Sequence, residues 1–148
     1  MTQVSRRFLK NETVQKIDQL FCEAISRCNN DEVTKSFLSD FFTSTEKVMF
    51  SKRLAIGYLL LKGYPTEIIN NTLKVSNPTI RYVAGILQYR GTGLKKILDQ
   101  MIKNQNWKRF FEELADVAIE IVGTGKGANW KQTKSYLYHQ KLKRQQPI

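Results

Sequence analysis

Apolar residues recur every three or four positions along most of the chain, the spacing that predicts amphipathic helices. The first such series predicts a helix from about Glu12, and its apolar members are Val14, Ile17, Leu20 or Phe21, Ile25 and Cys28. The polar run at positions 29–31 ends this helix and supplies capping side chains for a second, shorter one. The apolar side of the second helix is formed by Val33, Phe37, Leu38, Phe41 and Phe42.

Thr43 and Glu46 have the spacing of a capping box, in which a hydroxyl and a carboxylate each satisfy a backbone N–H that the helix leaves unpaired. They predict the start of a long apolar helix. Gly63 is placed to end that helix, because glycine adopts the left-handed conformation at little steric cost. The alternating pattern that is typical of strands is missing from the sequence, so we predict an all-α fold.

Two short helices joined by a tight turn are predicted from Thr66 to Gln88. Thr66 is placed to cap the first helix and Ser76 the second, where Pro78 is tolerated in the first turn. The apolar residues suited to locking these helices together are Ile68, Ile69, Leu73, Val75, Ile80 and Val83. This layout predicts a helix-turn-helix, whose first helix braces the second so that its N-terminal end enters a major groove of DNA. An ordinary helical hairpin would have the same pattern.

Beyond this pair, the glycine-containing segment 91–93 predicts a hinge, and helices are expected at about 94–103 and 107–122. The chain is therefore expected to divide into a dimerisation and helix-turn-helix domain (1–93), C-terminal helices (94–122) and a flexible basic tail (123–148). Removal of the tail should leave a folded dimer with lower affinity for any duplex, because the tail holds basic residues and no acid.

The net charge of +11 comes from 24 Lys and Arg against 13 Asp and Glu. Such an excess favours a polyanionic partner, because contacts to phosphates release counterions. A basic balance alone would suit a membrane surface or RNA as well as DNA, so the positions of the charges decide. No acid occurs between residues 68 and 98, and the basic residues there are Lys74, Arg81, Arg90, Lys95 and Lys96. One face of the molecule should therefore be positive, close to the predicted helix-turn-helix.

Catalytic and metal-binding arrangements are not suggested by the sequence. Cys22 and Cys28 lack a second cysteine pair or a nearby histidine to complete a zinc site, and His139 is the only histidine. We therefore expect no enzyme, no metal and no cofactor. No apolar run is long enough to cross a membrane, and no signal-peptide core follows Arg7. A cytoplasmic location without a membrane partner is expected.

The second helix of the pair carries the residues expected to face DNA. Arg81 can contact guanine with two hydrogen bonds, and Asn77 can pair with adenine. The complete set of expected DNA-binding residues is Lys74, Ser76, Asn77, Thr79, Arg81, Tyr82, Arg90, Lys95 and Lys96. Helix spacing alone leaves a structural hairpin and a DNA-binding motif about equally matched. The acid-free surroundings favour nucleic acid, and we expect double-stranded DNA as the partner.

Three segments occur in the order that resembles the Trp repressor family: FLSDFFT (37–43), KRLAIGYLLLKG (52–63) and VSNPTIRY (75–82). The resemblance covers roughly residues 32–90, and the chain after Gly93 has no counterpart in the minimal family fold. It implies an all-helical fold, usually an intertwined homodimer whose N-terminal helices interlock. It also implies binding in the major groove of DNA.

One departure from the family concerns its effector. Members that bind tryptophan hold it between two arginines, one on the long middle helix and one on the recognition helix. Arg53 matches the first, but Tyr82 stands at the second position, and Arg81 lies one residue early, about 100° around the helix. The resemblance therefore points to a branch that does not sense tryptophan. It leaves Thr43 and Arg53 as the residues of an effector pocket, for a different small molecule.

The leading hypothesis is a prokaryotic or phage-type transcriptional regulator that binds DNA as a homodimer, with the helix from Ser76 to Gln88 contacting the bases. The dimer is expected because the predicted helices over 12–42 present more apolar surface than one small domain can hide. Two other classes stay open. One is a DNA-binding module of mobile-element or replication machinery, and the other is an RNA-binding or structural interaction protein dominated by the C-terminal helix and tail.

Overall fold

A computed structural model describes residues 8–110, 112–113 and 135, and over these residues the chain contains helices and no strand. The helices are α1 (Asn11–Ser26), α2 (Asp31–Phe41), α3 (Ser44–Leu61), α4 (Thr66–Leu73), α5 (Asn77–Tyr89) and α6 (Thr92–Lys103). The predicted all-α fold is confirmed. The chain divides into two compact units, Met1–Val48 and Met49–Ile148.

The first unit contains α1 and α2, which contact each other through aromatic rings. Phe21 on α1 stacks on Phe41 of α2 with ring centroids 5.3 Å apart, and Phe37 stacks on the same ring at 5.3 Å. The predicted cap between the helices is confirmed, since the Asn30 side-chain oxygen accepts a hydrogen bond from the Val33 N–H at 2.9 Å. Neither helix has a buried residue. Their apolar side chains therefore lie at the surface of this unit.

The capping box at the start of α3 is also confirmed. The Glu46 N–H donates to the Thr43 hydroxyl oxygen at 3.3 Å, while the Glu46 carboxylate accepts from the Thr43 hydroxyl at 2.7 Å and from its backbone N–H at 3.0 Å. These hydrogen bonds, the one from the hydroxyl most of all, lower the pKa of Glu46 below its ordinary value. The box fixes the residue at which α3 begins.

The core of the second unit lies where α3, α4, α5 and α6 meet. Its fully buried side chains are Ile56, Tyr58 and Leu59 of α3, Ile68 and Ile69 of α4, Ile80 and Val83 of α5, and Leu98 of α6. Burial of an aliphatic side chain of this size contributes about 1.5–3 kcal/mol relative to leaving it exposed. Burial also raises the pKa of the Tyr58 phenol, with smaller contributions from Tyr64 and Glu112. This core holds α5 from one side.

Gly63 ends α3 as predicted, with a left-handed φ of 76°. The predicted cap of α4, by contrast, is wrong. Thr66 is the first residue of the helix, and Pro65 occupies the capping position with φ −60° and ψ 145°, without a side-chain hydrogen bond. Because its ring fixes φ, proline provides the extended backbone of a cap by itself.

The predicted hinge at 91–93 is also wrong. Thr92 and Gly93 belong to α6, and Gly91 is buried. A β-carbon on Gly91 would lie 2.7 Å from the carbonyl oxygen of Ile86 in the last turn of α5. Glycine is therefore required here by close backbone packing, and α5 and α6 meet at a tight corner.

Beyond α6, residues 105–110 and 112–113 are helical, which agrees with the start of the helix predicted at 107–122. The rest of that predicted helix, and the predicted tail except Ser135, lie outside the described residues. No helix in the described part of the chain is long and apolar enough to cross a membrane.

Candidate nucleic-acid interface

The turn between α4 and α5 is organised by Asn70. Its side-chain amide donates to the Val75 carbonyl oxygen at 2.6 Å, and its own carbonyl accepts from the N–H groups of Lys74 and Val75. Lys74 has φ 49° and ψ 56°. This left-handed conformation costs a residue with a β-carbon about 1–2 kcal/mol. The hydrogen bonds to Asn70 therefore hold the turn in a conformation that the chain would otherwise avoid.

Asn70 is missing from the predicted site residues, although the sequence carries a signal for it. An asparagine near the end of a helix can hydrogen-bond the backbone of a following turn. Asn70 and Asn71 stand side by side, however, and both are half-buried on α4. Only the packing of α4 decides which of the two faces the turn.

The start of α5 is capped by Ser76, as predicted. The Ser76 hydroxyl oxygen accepts from the Thr79 N–H at 3.4 Å, and the hydroxyls of the two residues lie 2.9 Å apart. Pro78 is accommodated in the first turn. Ser76 is exposed and Thr79 is half-buried. The side chains of Ser76 and Thr79 are thus hydrogen-bonded to each other, and their first role is to fix the residue at which α5 begins.

The outer face of α5 carries two of the predicted base-contacting residues. Asn77 and Arg81 are both exposed and lie four positions apart, which places them on adjacent turns of the same face. Ile80 and Val83 point the opposite way, into the core. The Arg81 guanidinium makes no hydrogen bond and no ion pair within the part of the chain that the structure describes. It is therefore available to an external acceptor.

Tyr82 and Arg53 are brought together. The Arg53 guanidinium carbon lies 5.7 Å from the centroid of the Tyr82 ring on α5 and 5.6 Å from that of Phe50, one turn earlier on α3. Thr43, the other residue predicted for an effector pocket, has its hydroxyl in the capping box with Glu46. Thr43 belongs to the first compact unit and Arg53 to the second. Each thus has partners within its own unit.

The remaining basic residues of the predicted DNA-binding set, Lys74, Arg90, Lys95 and Lys96, are exposed. Lys74 lies in the turn before α5, Arg90 follows α5, and the two lysines lie in α6. No ion pair involves them over the residues that the structure describes, and residues 68–98 contain no acid that could neutralise them. Exposed cations without acidic partners favour binding to phosphates.

Groups that could hold a metal ion, made of three or more His, Cys, Asp or Glu side chains, do not occur among the described residues. Cys22 and Cys28 are free thiols, the first exposed and the second half-buried. What the described site offers is hydrogen-bond donors and positive charge, which suits recognition of a polyanion.

A sequence profile described as Trp repressor protein matches residues 15–102, more than half of the chain. Searches of curated proteins and of solved structures gave no significant match. The matched range begins within α1 and includes nearly all of α6, so it is wider than the resemblance carried by the three motifs. The expectation that the chain after Gly93 lies outside the family fold is therefore wrong as far as residue 102.

Proposed function

The chain belongs to the Trp repressor family, and we propose that it is a sequence-specific DNA-binding transcriptional regulator that contacts the major groove with α5. The family consists of non-enzymatic DNA-binding regulators, so that general kind of function follows from membership. The proposal adds the helix that contacts the bases, the side chains on it, and a promoter as the target.

The observation that carries the proposal is that Asn77 and the unpaired Arg81 lie on the exposed face of α5, whose opposite face packs against the core. The core residues Ile80 and Val83 fix the inner face of α5, so the outer face can be inserted as a rigid edge. Arginine donates two parallel hydrogen bonds to O6 and N7 of guanine, whereas the asparagine amide donates to N7 of adenine and accepts from its N6 amino group. Each such pair discriminates against a wrong base by about 1–3 kcal/mol.

The cations around α5 are assigned to the phosphates. Lys74 precedes α5 along the chain, and Arg90, Lys95 and Lys96 follow it within the acid-free segment. Phosphate contacts orient a protein on the duplex without reading its sequence, and each adds to the salt dependence of binding. We place this activity in the cytoplasm, where a regulator of this family meets its DNA.

A second copy of the chain is the proposed protein partner. α1 and α2 expose large apolar side chains, of which Leu20 is 70%, Phe41 56% and Ile17 50% exposed. Large apolar side chains exposed to this extent on a small protein favour an interaction site. A two-fold dimer would present two copies of α5 about 34 Å apart, one turn of DNA, and would favour a palindromic site.

Tryptophan is not the proposed effector. The position that would supply the second arginine of a tryptophan pocket carries Tyr82, and the Arg53 guanidinium already lies over the Tyr82 ring. A gel shift with the preferred duplex should give the same affinity with and without millimolar tryptophan. A clear rise in affinity on adding tryptophan would contradict this part of the proposal.

The proposal is tested by selecting duplexes from a random pool with the full chain, followed by footprinting on genomic DNA. The expected result is a palindrome with half-sites about 10 base pairs apart, protected next to promoters. Enrichment of no sequence, or stronger binding to single-stranded RNA than to any duplex, would contradict it. Protection confined to the ends of mobile elements or to replication origins would favour a module of that machinery over a regulator.

A further inference from the structure

The Arg53 guanidinium lies over two aromatic rings, one from its own helix and one from α5. The distances from the guanidinium carbon to the ring centroids are 5.6 Å for Phe50 and 5.7 Å for Tyr82. Both are within the roughly 6 Å at which a cation is attracted to the face of a ring. We propose that Arg53 is a positioning residue, which holds α5 in its DNA-binding orientation through the cation–π contact with Tyr82. This inference rests on the proposed function of α5.

The Phe50 and Tyr82 rings are the partners of the Arg53 guanidinium among the described residues. The residue is half-buried, and its guanidinium forms no hydrogen bond or ion pair with any of the residues that the structure describes. Phe50 lies three positions earlier, hence on the same side of α3. A planar guanidinium stacks on aromatic faces, which a lysine ammonium cannot do equally well. The arginine therefore links a ring of the long helix α3 to a ring of α5.

The location of Tyr82 explains why this link would matter for DNA binding. Tyr82 follows Arg81 directly, and the neighbouring Ile80 and Val83 are buried in the core. The Tyr82 side chain is 50% exposed, so it lies at the edge of the core and not inside it. Core packing fixes the distance between helices, whereas a contact at the edge opposes rotation of α5 about its axis. Residues that contact a ligand must be held within about 0.5 Å of their binding geometry. The contact between Arg53 and Tyr82 therefore controls whether Arg81 is correctly placed to contact a base.

On this account the Tyr82 ring supports α5 and does not contact a base. The prediction from sequence placed Tyr82 among the DNA-binding residues, and the two roles differ in what they require. A positioning role needs the ring face and is indifferent to the hydroxyl. A base contact through hydrogen bonding needs the hydroxyl. Tyr82→Phe therefore separates the two roles.

The test is a double-mutant cycle on the affinity of the full chain for its selected duplex. Arg53→Met and Tyr82→Ala should each weaken binding roughly 5- to 30-fold, and the double variant should be little weaker than either single one. Tyr82→Phe should bind like the wild type. The slope of affinity against salt concentration should stay unchanged in all of them, because no phosphate contact is lost.

Lys52→Met is the matched control for charge. Lys52 precedes Arg53 on α3, is likewise half-buried, and has no aromatic partner among the described residues. Its replacement should change affinity much less than Arg53→Met does. Thermal melts of all the variants separate a loss of orientation from a loss of folding, because affinity is compared only at temperatures where each variant is folded.

Three results would overturn the inference. They are additive effects of Arg53→Met and Tyr82→Ala, binding of Tyr82→Phe as weak as that of Tyr82→Ala, and a salt slope lowered by about one in Arg53→Met, the mark of a phosphate contact. A wild-type chain that binds no duplex would refute the proposed function instead, so the two failures are distinguishable.

Discussion

Asn70→Ala tests whether the Asn70 side chain holds the turn before α5. The substitution removes the 2.6 Å hydrogen bond from the Asn70 amide to the Val75 carbonyl and leaves the backbone hydrogen bonds of the turn in place. The net loss for one such bond is about 1 kcal/mol. Alanine also favours a helix over asparagine by roughly 0.5 kcal/mol, which would hide part of the loss.

Asn71→Ala corrects for that helix propensity. Asn71 is the next residue of α4, is half-buried like Asn70, and makes no side-chain hydrogen bond with the residues that the structure describes. The difference between the two variants therefore isolates the hydrogen bond. We expect Asn70→Ala to be about 1 kcal/mol less stable than Asn71→Ala, a difference of several degrees in melting temperature at equal protein concentration.

Lys74→Gly provides a rescue within the same experiment. Glycine adopts the left-handed conformation without a steric penalty, so the turn no longer depends on the Asn70 side chain. In that background Asn70→Ala should cost less than it does in the wild-type chain. Equal melting temperatures of Asn70→Ala and Asn71→Ala would refute the role assigned to Asn70, as would a full cost in the Lys74→Gly background.

Three further predictions follow from other parts of the structure. Lys95→Ala and Lys96→Ala should each weaken binding evenly across duplex sequences and lower the salt slope by about one; a change in base preference would show that the lysine contacts bases. The lowered pKa of Glu46 means that its carboxylate stabilises the fold above its ordinary pKa of 4.5 and loses this effect as the pH falls through the lower folded-state value. Acid titration should therefore destabilise the wild type more than Glu46→Gln, and parallel curves would contradict the capping box. Gly91→Ala should destabilise the fold by about 1–3 kcal/mol through contact with the Ile86 carbonyl, whereas Gly93→Ala meets no atom within 4 Å and should not; equal effects would speak against the tight corner.

The helices and most of their ends were predictable because local chemistry determines them. The capping box at Thr43, the Ser76 cap and the left-handed Gly63 each act within four residues of the helix end, so the sequence alone contains the signal. The cap at Thr66 was mispredicted because its own neighbour, Pro65, fixes the backbone more strongly than a hydroxyl does.

Tertiary contacts account for what the sequence could not show. In the sequence, the two glycines at 91 and 93 indicate a hinge. Only the structure shows that the Ile86 carbonyl of α5 leaves no room for a side chain at Gly91. Tyr82 has the position of a DNA contact, and only the three-dimensional structure places the Arg53 guanidinium over its ring. Both features depend on residues more than four positions away, beyond the reach of helix periodicity.

The most direct test of the account is the base preference of Arg81→Lys, measured as the ratio of affinities for the selected duplex and for one with its contacted guanine replaced. This substitution keeps the net charge of +11, so bulk electrostatics and the salt slope should not change. Lysine lacks the planar pair of donors, and the preference for guanine should fall by about 1–3 kcal/mol at that position alone. A preference equal to that of the wild type would show that Arg81, and with it the outer face of α5, does not read the DNA.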